Sequence, residues 1–304
     1  MVKIAGKLKI YLYSALALSA LAMILTTLSY LFAFDSIGYF SNTILPAITN
    51  ALCLAAAVWF IASLFVIPKD ALDGATPTTL VNSICATPFC LWTLFLGGFL
   101  LYAYLEHQSN PRGIVMMLSN GAPMPVMLAS VFLLISGIYF ALTWLPRMQK
   151  RTETVVLGLF VPLAAVLLIS LTYFDFLVPL NSPVKLHFQL SSVLFILFSV
   201  YELRALAEKP RPRVYFALAM LTVFFSSVSS VPQIVAYVTG RISGYPQLLY
   251  AVFSLCVLIY TVGRLAVYVS ARDLLERISD QTYTEEDLFP VETETETETE
   301  TETD

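Results

Sequence analysis

Apolar residues fall along this chain in long runs broken by short polar segments, and eight of the runs are each long enough to span a bilayer. They cover residues 11–34, 44–67, 84–105, 125–145, 155–176, 188–206, 214–238 and 247–269. A run of about 20 apolar residues crosses the hydrocarbon core as a helix, which rises ~1.5 Å per residue and satisfies its own backbone hydrogen bonds where water cannot. The pattern predicts an all-α integral membrane protein, a bundle of about eight transmembrane helices filling residues 1–270. Four spans followed by four also raise the expectation of two four-helix halves, because Leu28-Ser29-Tyr30 before Asp35 is echoed by Leu171-Thr172-Tyr173 before Asp175. The first run follows a basic start, as a secretion signal does, but its 24 residues exceed the usual signal core of about 7–15, so a retained helix is expected.

Composition agrees: 58% of residues are hydrophobic and 12% charged, where a soluble domain is about a quarter charged. Charge adds direction. The net charge of −4 hides a basic body and an acidic end, since 11 of the 21 acidic residues lie from Asp280 onward. Short cytoplasmic loops retain lysine and arginine. With the N-terminus inside, Lys3, Lys7, Lys9, Lys69, Arg147, Lys150, Arg151, Arg204, Lys209, Arg211, Arg213, Arg272 and Arg277 are cytoplasmic, 13 of the 17 basic residues, while Arg112, Lys185 and Arg241 face out. Both termini are therefore expected in the cytosol. Beyond the last run, Ala271, Leu274, Leu275 and Ile278 stand at helical spacing, which predicts an amphipathic cytoplasmic extension over 271–279. Residues 280–304 end in alternating Glu and Thr with no apolar face to bury, so this stretch is expected to be a disordered acidic tail, available with the extension to a cytoplasmic protein partner.

Enzymatic signatures are absent. Cys53, Cys85, Cys90 and Cys256 all lie inside apolar runs and read as small hydrophobic residues. The two histidines, His107 and His187, fall on different loops and make no metal set. No phosphate loop, dinucleotide glycine pattern or Gly-x-Ser-x-Gly elbow occurs, so neither a catalytic residue nor a cofactor nor a nucleic-acid partner is indicated. No lysine falls within a run, which argues against a retinal Schiff base.

Ionisable groups inside spans are costly and mark function by default. Glu202 and Arg264 sit at matching depths near the inner ends of spans six and eight, as a helix-locking ion pair or an inner gate. In the outer half, Ser226, Ser230, Gln233 and Tyr237 stand at i, i+4, i+7 and i+11. Asn42, Thr49 and Asn50, Asp175, and Asn181, Ser182, Lys185, His187 and Gln189 gather near the same level, with Asp35 and Arg241 as charged contacts. This is read either as an outward-opening polar cavity for a small ligand or as interhelical hydrogen-bond glue worth ~0.6–2 kcal/mol per contact. Span eight repeats the theme with Tyr250, Ser254, Thr261, Arg264 and Tyr268 close to one face. Pro46, Pro88, Pro162 and Pro232 are candidate kinks. The apolar loop 113–123 is expected to lie on the outer surface over the cavity.

The stretch from Tyr173 through Asp175, Pro179, Asn181 and Pro183 to Lys185, followed by Gln189 and by Tyr201-Glu202-Leu203-Arg204, resembles uncharacterised multi-pass membrane proteins of Gram-positive bacteria. The resemblance covers about a tenth of the chain. It implies a bacterial plasma membrane and carries over no activity and no site residue. Two function classes remain: a non-enzymatic sensor or accessory subunit, which is preferred because polar residues gather in the outer half, and a small-solute or lipid transporter.

Overall fold

A computed structural model describes residues 4–35, 38–41, 44–67, 80–111, 113–145, 152–175, 178–179, 181–207, 209 and 211–288, with side chains between 5 and 274. The chain forms α1 (Ile4–Phe32), α2 (Ile44–Val66), α3 (Leu80–His107), a short α4 (Ile114–Ser119), α5 (Pro123–Leu142), α6 (Thr152–Gly158), α7 (Phe160–Phe174), α8 (Pro183–Leu206), α9 (Pro212–Ser229), α10 (Val231–Val238) and α11 (Tyr245–Leu288). Eight helical stretches are long and apolar enough to cross a membrane, with α6 and α7 sharing the fifth and α9 and α10 the seventh. Each apolar run thus corresponds to one span. Several helices, α1, α3, α8 and α11 most clearly, are longer than their runs, because hydropathy registers only the hydrocarbon segment while the helix continues into the interface. Thus α1 already includes Lys7 and Lys9, and α8 begins at Pro183, with the Ser182 side chain accepting from the Lys185 backbone N–H at 3.4 Å. Lys185 therefore lies in the first buried turn of a span, contrary to the expectation that every lysine lies outside them.

One span is broken before a proline and another loses only a bond. Pro162 cannot donate to Gly158, yet Leu159 keeps helical angles (φ −63°, ψ −24°) between α6 and α7; Pro232 cannot donate to Val228, and the helix breaks at Ser230, whose φ of −95° and ψ of −90° are not helical. Pro46 sits in the first turn of α2, where its missing N–H costs nothing, and Pro88 is accommodated inside α3.

Span seven is the axis of the bundle: 83% of its apolar window is buried, and α9 packs against α1, α2, α8 and α11. Its small residues, including Ala217, Ala219, Ser226 and Ser227, let neighbouring backbones approach from every side. Around it, α1 and α2 pair on one flank, while α3, α5, α7 and α8 succeed one another on the other, closed by α11 against α3. The first four spans do not form a separate half, since α2 and α3 share no substantial packing among the described residues and the axis lies between their pairs. Glycine sets two of the closest crossings. A Cβ on Gly137 would meet Leu94 Cδ2 at 2.5 Å, joining α5 to α3, and one on Gly263 would meet Cys85 Cβ at 2.5 Å, joining α11 to α3.

The starts of α1, α3, α6 and α9 and the ends of α5 and α8 share one end of the bundle, called here the basic end for Lys7, Lys9, Arg204, Lys209, Arg211, Arg213 and Arg272. There α11 runs on well past the membrane: its 44 residues reach about 66 Å, twice the ~30 Å of a hydrocarbon core. Asp273 on this extension pairs with Lys9 of α1 at 2.7 Å. The helix continues through Leu288, so 280–288 are helical instead of belonging to a disordered tail; extending a helix already nucleated costs little per residue. Residues 289–304, the Glu/Thr repeat among them, lie outside the described residues.

Candidate functional site: two polar networks joined by α8 and α11

Glu202 lies one turn before the end of α8, and Arg264 faces it from α11. Arg264 Nε is 2.5 Å from Glu202 Oε1, and the two side chains are only 8% and 5% exposed. Tyr260, one turn before Arg264 and so on the same face of α11, donates its hydroxyl to the same carboxylate oxygen at 2.8 Å. The Tyr215 hydroxyl of α9 lies against the guanidinium, and Tyr139 of α5 completes the surround. Burying a carboxylate in this setting is tolerable only because it has both a counter-charge and a charge-assisted hydrogen bond.

The pair forms one wall of a small, partly open cleft at the basic end. Asn82 of α3, Thr143 after α5 and Thr154 of α6 supply the neutral polar part of the lining. The free space inside has room for about one or two waters. Toward the bilayer middle the cleft is floored by aromatic rings. Phe89 packs tilted against Phe140 and edge-on against Phe195 and Phe253, with centroids 4.6, 5.3 and 5.3 Å away, and Phe140 meets Tyr260 edge-on at 5.2 Å.

The second network occupies the opposite end. Asp175 ends α7, Lys185 and Gln247 start α8 and α11, and Gln233 belongs to α10. Gln247 Nε2 donates to Asp175 Oδ2 at 2.6 Å, Lys185 Nζ donates to the Asp175 carbonyl at 2.5 Å, and Gln233 Nε2 donates to the Val184 carbonyl at 2.9 Å. All four residues are buried, between 2% and 4% exposed. Lys185 and Gln247 thus both bond Asp175, while Gln233 bonds the backbone next to Lys185; of the two sequence readings, an open cavity or interhelical bonding, these contacts are of the second kind. Tyr30 bonds His187 Nδ1 at 3.3 Å and packs edge-on against Phe34 and tilted against Phe40, whose backbones pair across the turn after α1 and help close this end. Gln189 donates to Thr172 at 3.1 Å.

The stripe read on span seven does not persist as one face, because the break at Ser230 re-aims the residues beyond it. Ser226 pairs with Ser191 of α8 at 2.8 Å, Ser230 bonds the Ser227 carbonyl of its own helix, and Tyr237 is half-buried farther along α10. Asn50 is exposed on the outer side of α2, away from the network, and Asn42 lies outside the described residues. Thr49 meets Ser29 at 3.4 Å, Asn181 and Arg241 are exposed, and Asp35 accepts from the Tyr39 N–H in the turn after α1. Loop 113–123 contains α4, whose Val115, Leu118 and Ser119 are buried against α3, α5 and α7, so it seals that corner instead of covering Gln233 and Lys185.

On α11 the expected face divides among partners. Tyr250 stacks on Phe188 at 4.7 Å, Ser254 reaches Ser229 at 3.0 Å and Arg264 meets Glu202, while Thr261 and Tyr268 are buried farther along. Sequence reasoning missed Gln247, Tyr260, Tyr215, Asn82 and Thr154. Of these only Tyr260 had a signal, its i−4 relation to Arg264. Among the described residues, no group of three or more His, Cys, Asp or Glu side chains is placed to hold a metal. The chain's eight apolar helices make it a multi-pass membrane protein, and comparison with protein-family models, with curated proteins and with solved structures finds no match.

Proposed function

We propose that this protein is a non-enzymatic sensor or accessory subunit of a bacterial plasma membrane, with both termini in the cytosol, and that α11 relays the state of its polar networks to the cytosolic side. One observation carries the reading: α11 alone bears Gln247 of one network, Arg264 of the other and Asp273 of the clasp on α1. A helix without internal interruption moves as a rod, so a change of partner at either network is felt at the clasp. The gathering of basic residues at the end that holds the clasp supports its cytosolic placement. The resemblance of the segment from Tyr173 to Lys185 supports a bacterial source. The α11 extension and the acidic tail are the surfaces offered to a protein partner, and a small ligand is the input.

The test uses the full chain in lipid nanodiscs with spin labels at the start of α1 and on the α11 extension. Glu202→Gln is expected to shift or broaden the distance distribution between them, while proteoliposomes show no solute flux. An unchanged distribution would overturn the relay. The transporter reading is favoured by the break of span seven at Ser230, since discontinuous helices form substrate sites in many carriers. Saturable flux in proteoliposomes would decide for it.

A further inference from the structure

We propose that the cleft at Glu202 and Arg264 is a binding site for a small zwitterion, an amino-acid-like molecule with one carboxylate and one ammonium, that enters by parting the ion pair. The inference rests on the sensor reading in that it names the input to the relay. Its basis is the charge pattern of the cleft, whose opposite charges face each other on different helices, α8 and α11, both more than nine-tenths buried. A singly charged ligand can satisfy only one of them and leaves the other stranded in a medium that penalises unpaired charge heavily. A neutral ligand offers neither charge a replacement partner. A zwitterion replaces both partners at once: its carboxylate takes the planar donors of Arg264, and its ammonium takes the Glu202 carboxylate, which keeps its Tyr260 hydrogen bond.

The remaining lining fits the same class of molecule. Asn82 of α3 and Thr154 of α6 line the same cleft with neutral hydrogen-bonding groups. With the pair closed, the free space of the cleft holds only about one or two waters, so a guest of this class enters only as the pair parts. The aromatic floor of Phe89, Phe140 and Phe253 stops a polar guest from passing deeper. Inserting a molecule between α8 and α11 must separate those helices at this level, which couples occupancy to the position of α11.

The test is a thermal-shift and calorimetric titration of the whole protein in nanodiscs with glycine, alanine and glutamine as zwitterions, acetate and lactate as lone anions, and methylammonium and ethanolamine as lone cations. At least one zwitterion is expected to bind saturably and raise Tm by about 2 °C or more at concentrations well above its Kd, with neither lone ion doing so. E202Q and R264Q are expected to weaken that binding by at least about tenfold. Should either variant fail to fold, Thr154→Val, which leaves the pair intact, is expected to weaken it several-fold. Binding of lone anions or cations as tight as that of the zwitterions, or no binding across the panel, would overturn the proposal. Zwitterion binding without any change in the distance between α1 and α11 would leave this site standing and overturn the relay instead.

Discussion

Removing one partner of the Glu202–Arg264 pair should be far worse than removing both. The pair is desolvated, so Arg264→Met leaves a buried carboxylate held by Tyr260 alone, and Glu202→Leu leaves a buried guanidinium without its carboxylate. Breaking such a pair from one side costs about 3–5 kcal/mol, whereas replacing both members by apolar residues of similar volume is often neutral or stabilising. For a chain of this size 1 kcal/mol moves Tm by roughly 2 °C, so each single variant should fall by about 6–10 °C and the double variant should recover most of the loss. The assay is thermal unfolding in nanodiscs of fixed lipid composition, run as a double-mutant cycle. Neutral polar contacts between membrane helices couple by only ~0.6 kcal/mol on average, because the unfolded helices find other partners in the bilayer. A coupling above about 2 kcal/mol therefore distinguishes a desolvated ion pair from ordinary polar glue. Additive losses, or single variants within about 1 kcal/mol of the parent protein, would refute the reasoning.

Three further outcomes are expected from the packing. Gly263→Ala should destabilise by about 1–3 kcal/mol in the same unfolding assay, because the new Cβ would meet Cys85 Cβ and Sγ at 2.5 Å. Cys85→Gly should rescue it and Cys85→Ala should not, since alanine keeps the obstructing Cβ. Lys185→Met should cost about 1.5–3 kcal/mol through loss of a charged donor to the Asp175 carbonyl, and Gln247→Leu should cost about 1–3 kcal/mol by removing a donor from Asp175 Oδ2. Lys9→Ala should change stability by less than about 1 kcal/mol and abolish any salt dependence of the distance between the α1 start and α11, because this pair is partly exposed.

The span count could be read from the chain because bilayer thickness fixes the length of every apolar run, whatever the neighbouring helices do. The matching depths of Glu202 and Arg264 were legible for the same reason: spans six and eight run in the same direction, and burial forces charges at one level toward each other. The faces that meet could not be read. The regular spacing of Ser226, Ser230, Gln233 and Tyr237 assumed an unbroken helix, and Pro232 turns the last two onto a new axis. Gln247 and Asn82 carry no signal of their own, since a single amide near a helix start is common, and only tertiary packing brings them to Asp175 and to the Glu202 cleft. The break between the first and second pairs of spans was hidden too, because it depends on span seven, far along the chain, inserting between them.

The contrast between a broken α9–α10 and an unbroken α11 also says how the bundle can move. α11 crosses α3 closely where Gly263, lacking a Cβ, faces Cys85, and that crossing is the natural pivot for a tilt. From that pivot, Gln247 lies 16 residues away, about 24 Å along the axis, and Asp273 lies 10 residues the other way, about 15 Å. A rigid tilt about the pivot therefore turns a ~1 Å displacement at Gln247 into an opposite displacement of roughly 0.6 Å at Asp273, which either opens the Lys9 clasp or carries α1 along. Two label pairs in one nanodisc preparation test this, one from α11 near Gln247 to the end of α1 and one from the α11 extension to the start of α1. Displacements of opposite sign on perturbing the Asp175 network support a pivoting rod. Displacements of the same sign mean that α11 shifts as a whole, and the Gly263 contact is then a packing constraint and not a fulcrum.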